Sequence, residues 1–400
     1  MNTGGPARHV VWLTDGLKDE FDTTLVCGTV PPTEGDMNYF AAQNGVEPFF
    51  IPEMSRELSP KDVVSLLKIY LLLRREKPAI IHTHTAKAGT LGRVAGFAYK
   101  WLTPSALIGR PRQLHFVHTY HGHVFHSYYG PLKTRFFLTI ERVLARVATD
   151  KIFVLSERQR WEINEKYRVG RAAQFEIVPL GIDLAAYRNW RENRLILREE
   201  LNVGDEILVG IVGRLTQVKN HSLFLRVAKL WQERAEADDL PPVRFIVIGD
   251  GDLRANLEKE ALDLDLKNTI FLGERNDEHV FYPALDVVAL TSFNEGTPLT
   301  LIEAMANERP VISTAVGGVV DLLGTENTVT EENLSYIVGQ RGVSVPSEDA
   351  ETFFQGLVRL VKDKDLRDNL GKQGAEFVRH KYSKERLLAD VKRLYDSFML

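Results

Sequence analysis

Phe293-Asn-Glu295-Gly296-Thr297-Pro298-Leu299-Thr-Leu-Ile-Glu303-Ala-Met-Ala306 follows an apolar run, Val287-Val288-Ala289-Leu290, that reads as a buried strand. Pro298 suits the first position of a helix, and beyond it the chain is apolar nearly all round, the mark of a buried helix. Glu303 therefore enters a core, where a carboxylate is costly unless paired or hydrogen-bonded. No cation stands three or four residues from it. The Gly296–Leu299 amides at the helix start are unsatisfied donors at the positive end of the dipole and predict an anion site. Glu295 in the loop and Glu303 in the helix would flank that anion with acceptors for sugar hydroxyls.

Working outward, the longer stretch EGTPLTLIEAMANERPVISTAVGGVVDLL resembles the signature of the family 4 glycosyltransferases: two glutamates eight positions apart, a helix of small apolar residues and a Pro-Val-Ile strand. The resemblance extends over almost the whole chain. It implies an α/β GT-B fold of two Rossmann-like domains with parallel sheets facing across a cleft and a C-terminal helix crossing back. The expected boundaries are 1–188 for the acceptor-side domain, 189–206 for a linker, 207–378 for the nucleotide-sugar domain and 379–400 for the closing helix.

Composition is that of an ordinary globular protein. Four hundred residues suffice for two or three domains, and a formal charge of −4 gives no global footprint for nucleic acid. Cys27 is the only cysteine, so no intrachain disulfide is expected, and the N-terminus lacks a signal-peptide pattern. The cytoplasm is the expected compartment. The richest apolar run, Val63–Leu73, is interrupted by Ser65 and Lys68 and falls short of the ~20 residues that span a bilayer. No P-loop, Gly-x-Gly-x-x-Gly fingerprint or internal repeat occurs.

The first residues reach Gly4-Gly5 directly, followed by Val10, Val11, Leu13 and Leu17 at helical spacing. In the family the equivalent loop lies beneath the donor phosphates and near the acceptor, which implies a donor role for Gly5 and an acceptor-side place for Gly4. A strand precedes this loop in the family, whereas three residues do here; a start codon assigned too late, trimming, or loss of the first strand of the N-terminal sheet each account for that.

Strand-like Thr23–Val30, Pro48–Pro52 and Ala79–Thr83 then alternate with helical Ser65–Arg75 and Leu91–Lys100, predicting a parallel sheet with right-handed crossovers. His82, His84 and Lys87 fall at a strand's carboxyl end, where open α/β sheets place ligands, and are assigned to the acceptor side. A structural role for the two histidines fits equally.

Five histidines stand between His115 and His126. Zinc sites usually add Cys or carboxylate at set spacings, and strand alternation turns these rings to opposite faces, so no metal is expected. Thr119-Tyr120-His121-Gly122 instead resembles the family's strand-end motif, which implies that His121 reaches the anomeric carbon. Val124–Arg146 interleaves aromatics with basic residues and reads either as a membrane-surface segment or, as we prefer, an amphipathic helix of the N-domain.

In the second domain Gly213-Arg214-Leu215 ends a strand, with Lys219-Asn220 following. This resembles the family's phosphate motif: Arg214 forks onto a diphosphate and Lys219 adds a mobile charge, neutralising the leaving group without a metal. Glu274, after Phe271-Leu-Gly273, takes the family's base-binding position. Asp263-Leu-Asp265 ends an amphipathic helix and reads as solvated. Thr325–Asn333 reads as a surface loop.

The implied reaction is transfer of a hexosyl or N-acetylhexosaminyl group from a nucleotide sugar, with uridine the expected base, to a glycan or lipid-linked hydroxyl with retention. His121, Glu295, Arg214 and Lys219 form the catalytic set; Gly5, Glu274, Gly296, Thr297, Pro298, Leu299 and Glu303 complete the donor site. The nucleotide sugar is a substrate and no cofactor is expected. Polysaccharide or glycolipid assembly, with peripheral contact to the inner membrane surface, is the family's common setting. Two alternatives stay open: another GT-B enzyme such as a nucleotide-sugar epimerase, or an inactive truncated remnant.

Overall fold

The computed structural model describes residues 5–30, 36–55, 58–121, 131–324, 328–331 and 334–399. The chain divides into two compact units, Met1–Gly181 with Lys384–Leu400, and Ile182–Ser383.

In the first unit the strands are β1 (Val26–Gly28), β2 (Phe49–Ile51), β3 (Ile80–His84), β4 (His115–Thr119), β5 (Lys151–Val154) and β6 (Phe175–Ile177). They alternate with helices α1 (Gly5–Gly16), α2 (Asn38–Gln43), α3 (Asp62–Glu76), α4 (Ala86–Trp101), α5 (Pro104–Leu107), α6 (Pro131–Val147) and α7 (Glu157–Trp161). All strand pairs are parallel, as the β-α alternation predicts. They form two sheets, β1-β2 and β3-β4-β5-β6, rather than one.

Helices and strands here meet through one polar knot. Arg93 of α4 and Glu141 of α6 are almost wholly buried, with Nη2 at 2.7 and 2.8 Å from the two carboxylate oxygens. Arg93 Nε also donates to the Gly89 carbonyl, and the Tyr120 hydroxyl donates to Glu141 at 2.6 Å. Glu141, Leu144 and Ala145 commit one face of α6 to the core, which supports the amphipathic-helix reading of that segment. Its first part, 124–130, lies outside the described residues.

The second unit has strands β7 (Ile207–Val212), β8 (Val243–Ile248), β9 (Thr269–Gly273), β10 (Val287–Leu290), β11 (Val311–Thr314), β12 (Thr328–Glu331), β13 (Leu334–Val338) and β14 (Val343–Val345). One eight-stranded sheet runs β12-β13-β14-β11-β10-β7-β8-β9. Its central strands are parallel and buried on both faces, hence the continuous apolar runs. Only β12-β13-β14 pair antiparallel. Part of 325–333, expected as a loop, is thus strand β12: polar, threonine-rich sequence hides an edge strand whose pairing comes from β13.

Helices α8 (Trp190–Glu200), α9 (His221–Arg234), α10 (Arg254–Asp263), α11 (Glu278–Ala284), α12 (Leu299–Ala306), α13 (Val319–Leu323), α14 (Ala350–Lys362) and α15 (Lys364–Lys381) belong to this unit. The expected linker at 189–206 is largely α8, fastened by Arg194 and Arg198 to Asp286 at 2.5 and 3.2 Å. The charged run Asn189–Glu200 reads as helix and linker in the sequence, and its fastening to Asp286 stays hidden there because that partner lies far along the chain.

The chain returns to the first unit where Ser383 bridges Ile182 in parallel. The last helix, α16 (Lys384–Met399), then places Leu387, Val391 and Tyr395 in a core shared with Leu13 and Leu17 of α1 and with Val117 and Phe153 of the sheet. The predicted return of the C-terminal helix to the N-terminal domain is therefore observed. No helix among the described residues is long and apolar enough to cross a membrane.

Removing Arg93 would strand a buried carboxylate. Arg93→Ala is expected to cost about 3–5 kcal/mol, measured as a lowered urea midpoint against wild type.

Candidate functional site

Two groups of polar residues stand at the carboxyl ends of parallel strands, one in each unit. In the second unit the loop after β10 is stitched to the loop after β7. Thr291 Oγ1 donates to the carbonyls of Lys219 and Asn220 at 3.0 and 2.9 Å, and Phe293 N donates to Val218 O at 2.9 Å. The stitching sets Lys219 Nζ 2.6 Å from Glu295 Oε1, which also accepts the Ser292 hydroxyl at 2.6 Å. Two residues expected to serve one ligand are thus already in contact.

A third loop closes on the same place. Gly317 has φ +53°, and a Cβ there would run into the Glu295 carbonyl oxygen. Gly318 N donates to Gly296 O at 2.9 Å. The glycine pair after β11 is therefore what lets backbone lie against backbone under the Glu295–Pro298 loop.

Pro298 is the N-cap, with ψ 108°, and α12 begins at Leu299, one position later than the sequence predicts. An extended ψ at Pro298 lets the loop turn back toward Lys219 before the helix begins. Pro298 offers the helix no side-chain cap, and the amides of the first turn lie on the loop side, where an anion site would use them. Gly296, Thr297 and Leu299 are half-buried there.

Glu303 lies one turn into α12 and is buried, as expected. The sequence shows no partner because the partner is remote: Tyr282, on α11, donates its hydroxyl to Glu303 Oε2 at 3.0 Å. Burial, and then the Glu303 charge, raise the Tyr282 hydroxyl well above its ordinary range and keep it a donor.

Arg214 and Glu274 are exposed where the chain leaves β7 and β9. Gly213 N donates to Ile248 O, and Gly249 N to Gly273 O, at 2.9 and 2.7 Å. These two bonds hold the ends of β7, β8 and β9 level, so Arg214 and Glu274 emerge on one edge of the sheet.

In the first unit the histidines converge. His84 Nδ1 is 2.8 Å from His121 Nε2, and the His9 ring packs edge-on against both, with centroids at 5.5 and 4.8 Å. His82 is held between Tyr395 and Thr119 at 2.6 and 2.7 Å, a structural role that ties α16 to β3 and β4. His118 pairs with Thr83 at 2.8 Å. Lys87 is paired with Asp62 at 2.7 Å. Of the acceptor-side residues, His84 is therefore the one joined to His121, while His82 and Lys87 hold the scaffold. Gly5 is the first residue of α1; Gly4 lies outside the described residues.

His9 escapes a reading of the sequence. It lies four residues beyond Gly5, and both of its ring nitrogens are buried without a partner. His9, His84 and His121 bring three ligand atoms within 4.8 Å of one another, which makes them the group among the described residues able to hold a metal. An ion there would have to replace the His84–His121 hydrogen bond.

Both units match known families along nearly their whole length. Residues 3–186 match the model for Glycosyltransferase Family 4, and residues 193–377 the model for glycosyl transferases group 1. The UDP-Gal:alpha-D-GlcNAc-diphosphoundecaprenol alpha-1,3-galactosyltransferase of Escherichia coli is 30% identical over 354 residues, covering 87% of this chain and 82% of that protein. This chain belongs to the family 4 glycosyltransferases.

Other relatives of this glycosyltransferase agree. The capsular polysaccharide biosynthesis glycosyltransferase CapM of Staphylococcus aureus is 25% identical over 345 residues, covering 84% of this chain and 82% of that one. Among solved structures, Anabaena Alr3699/HepE in complex with UDP superposes with TM-score 0.74 at 18% identity, over 98% of this chain and 96% of that one. Sucrose-phosphate synthase from Thermosynechococcus elongatus gives 0.75 at 20% identity, over 99% and 94%. The GT-B fold is thereby established.

The histidines of this glycosyltransferase predict its acid response. Burial lowers His121 from 6.5 to about 4, and burial reinforced by neighbouring charge holds His9, His82, His84 and His118 well below 6.5. The unfolded chain takes up protons below about 6.5, whereas folded His121 does not until near 4 and the other four rings stay neutral well below 6.5. Stability is thus full above that window and lost as pH falls through it, each ring contributing up to about 1.4 kcal/mol per pH unit. Melting temperature should be flat above pH ~7 and fall steeply from about 6.5 to 4; a flat profile across that window contradicts neutral buried rings.

Proposed function

We propose that this glycosyltransferase moves a hexosyl or N-acetylhexosaminyl group from a UDP-sugar to a hydroxyl of a lipid-linked glycan, with retention, in polysaccharide or glycolipid assembly. The observation that carries the reading is the Lys219–Glu295 contact at the start of the uncapped helix α12. Cation, helix amides and carboxylate meet at one strand end. A sugar diphosphate is a ligand that needs all three.

In this reading Lys219 is exchanged on binding. The donor diphosphate, doubly charged, competes for the ammonium, while Arg214 and the Gly296–Leu299 amides take the remaining phosphate oxygens. Glu295, released from Lys219, accepts hydroxyls of the donor sugar. Glu303, kept in place by Tyr282, accepts the ribose hydroxyls. Glu274 lies toward the base. The two cations neutralise the departing diphosphate, so no metal is required.

The first unit supplies the acceptor side. His121, neutral by burial and joined to His84, has a hydrogen bond rather than a charge to offer a sugar hydroxyl. The incoming hydroxyl attacks from the leaving-group face and a phosphate oxygen accepts its proton, which gives retention. The donor and acceptor classes draw support from relatives: the E. coli enzyme is named for UDP-Gal and a diphosphoundecaprenol acceptor, and HepE structures hold UDP and UDP-glucose.

Glu295→Ala and Lys219→Ala should each lower kcat on the order of 10²–10³-fold, with Glu303→Gln acting mainly on donor KM. The assay follows UDP release with undecaprenyl-linked sugar acceptors in excess EDTA. Unchanged turnover in Glu295→Ala would remove its role, and loss of wild-type activity in EDTA would refute metal independence. Conversion of the donor without any acceptor would replace transfer by epimerisation.

A further inference from the structure

Helix α1 and strands β3 and β4 each deliver one imidazole to the same place. His84 ends β3 and pairs in register with Thr119, the last residue of β4. His121 follows two positions after Thr119, and its ring lies beside that of His84 with centroids 5.1 Å apart. His9 comes from inside α1, whose Leu13 and Leu17 pack on Val117 and Phe153 of the same sheet. The three rings are thus positioned by a packed helix and two paired strands, the kind of support a preformed site needs.

Hydrogen bonding singles these rings out. His82 uses both ring nitrogens on Tyr395 and Thr119, and His118 Nδ1 is bonded to the Thr83 hydroxyl. Around His9 and His121 the opposite holds: both nitrogens of His9 and Nδ1 of His121 are buried with no partner. His118 Nε2 also lacks one, but strand alternation turns that ring to the other face from His121. The large majority of buried polar side-chain atoms in proteins are bonded, so several unpartnered nitrogens gathered in one spot point to a ligand.

The donor set identifies that ligand. One nitrogen from each of His9, His84 and His121 lies within 4.8 Å of the others. Around a tetrahedral ion with bonds of ~2.1 Å such nitrogens stand about 3.4 Å apart, so the rings close on an ion by moving inward roughly an ångström. Imidazoles with no carboxylate or thiolate among them suit zinc, copper, nickel or cobalt, whereas magnesium and calcium take oxygen ligands. His9 is buried while His84 and His121 are half-buried, so the group is reached from their side and a fourth position faces that opening. Each neutral ring presents one lone pair to the ion and keeps one N–H. The ring that donates across the 2.8 Å His84–His121 contact therefore moves its proton to its other nitrogen, and no proton is lost overall.

We propose that His9, His84 and His121 form a three-imidazole site for a zinc-class transition-metal ion, with water at the fourth position. From the histidine run that begins at His115 the site draws His121; the other ligands come from α1 and β3, which is why spacing along the chain hides it. Ion binding stands on this geometry alone. Its effect on turnover rests on the role given to His121 in the proposed transfer: a ring bound to metal cannot serve the sugar, so the ion inhibits an enzyme that works without one.

The test uses the full chain, stripped of metal with EDTA and then dialysed. Zn²⁺ is titrated in competition with a chromophoric chelator, and Co²⁺ is followed by its visible absorption. Zn²⁺ should bind stoichiometrically, Mg²⁺ should not compete even in about a thousandfold excess, and Co²⁺ should show the intense bands of four- or five-coordination rather than those of the hydrated ion. His9→Ala should weaken Zn²⁺ binding at least about tenfold, while His380→Ala, at an exposed position in the second unit, should leave it unchanged. Zn²⁺ should also inhibit UDP release by the wild type, reversibly with EDTA, and His9→Ala should require at least about tenfold more of it. The cobalt spectrum is read on the wild type and depends on no variant's folding. Lack of a stoichiometric site, a hydrated-ion cobalt spectrum, or unchanged binding in folded His9→Ala overturns the proposal. Binding with the expected spectrum but without inhibition upholds the site and removes the role of His121 in transfer.

Discussion

A lysine and a glutamate drawn together from opposite sides of a central strand pair govern the second unit. Lys219 and Glu295 are 76 residues apart in sequence and 2.6 Å apart in space. Neither is fully solvated, with side chains 23% and 11% exposed, so each needs the other when no ligand is present. Such a pair adds little net stability after desolvation. Its value is positional: it keeps a mobile cation and an acceptor preset at the helix start. The threonine that ties Lys219 to β10 and the glycines that admit the β11 loop all serve this contact.

The first unit solves a different problem, that of keeping several basic rings uncharged together. Imidazoles placed this close would repel if protonated, and burial ensures they are not. The Arg93–Glu141–Tyr120 knot lies next to them: a Cβ on Gly89 would meet the His118 ring, and Gly89 also accepts from Arg93. Arg93, the cation that acts on His118, is thereby tied to a carboxylate of opposite charge.

What could be read in the sequence was whatever depends on neighbours along the chain. Periodicity placed β7, β10 and α12, and an all-apolar helix made the burial of Glu303 legible. Its partner Tyr282 was not legible, because nothing near Glu303 announces it. Strand alternation correctly separated His118 from His121, yet gave no hint that His9 of α1 joins His84 and His121. Segment 189–206 looked like linker because Asp286 lies some ninety positions further on, and β12 looked like loop because edge strands carry their signal in the partner strand.

The crossing at Ser383 also sets an order of events. Helix α16 completes the core of the first unit, so that core cannot close while the chain is still emerging from the ribosome. The second unit, contiguous from Ile182 to Ser383, has all its strands available earlier. Vectorial synthesis therefore offers the second unit all its strands before α16 exists, while Leu13 and Leu17 still lack the α16 side chains that pack on them. Without α16 that core would lack Leu387, Val391 and Tyr395, so the side chains that close the first unit come from the far side of the second along the chain.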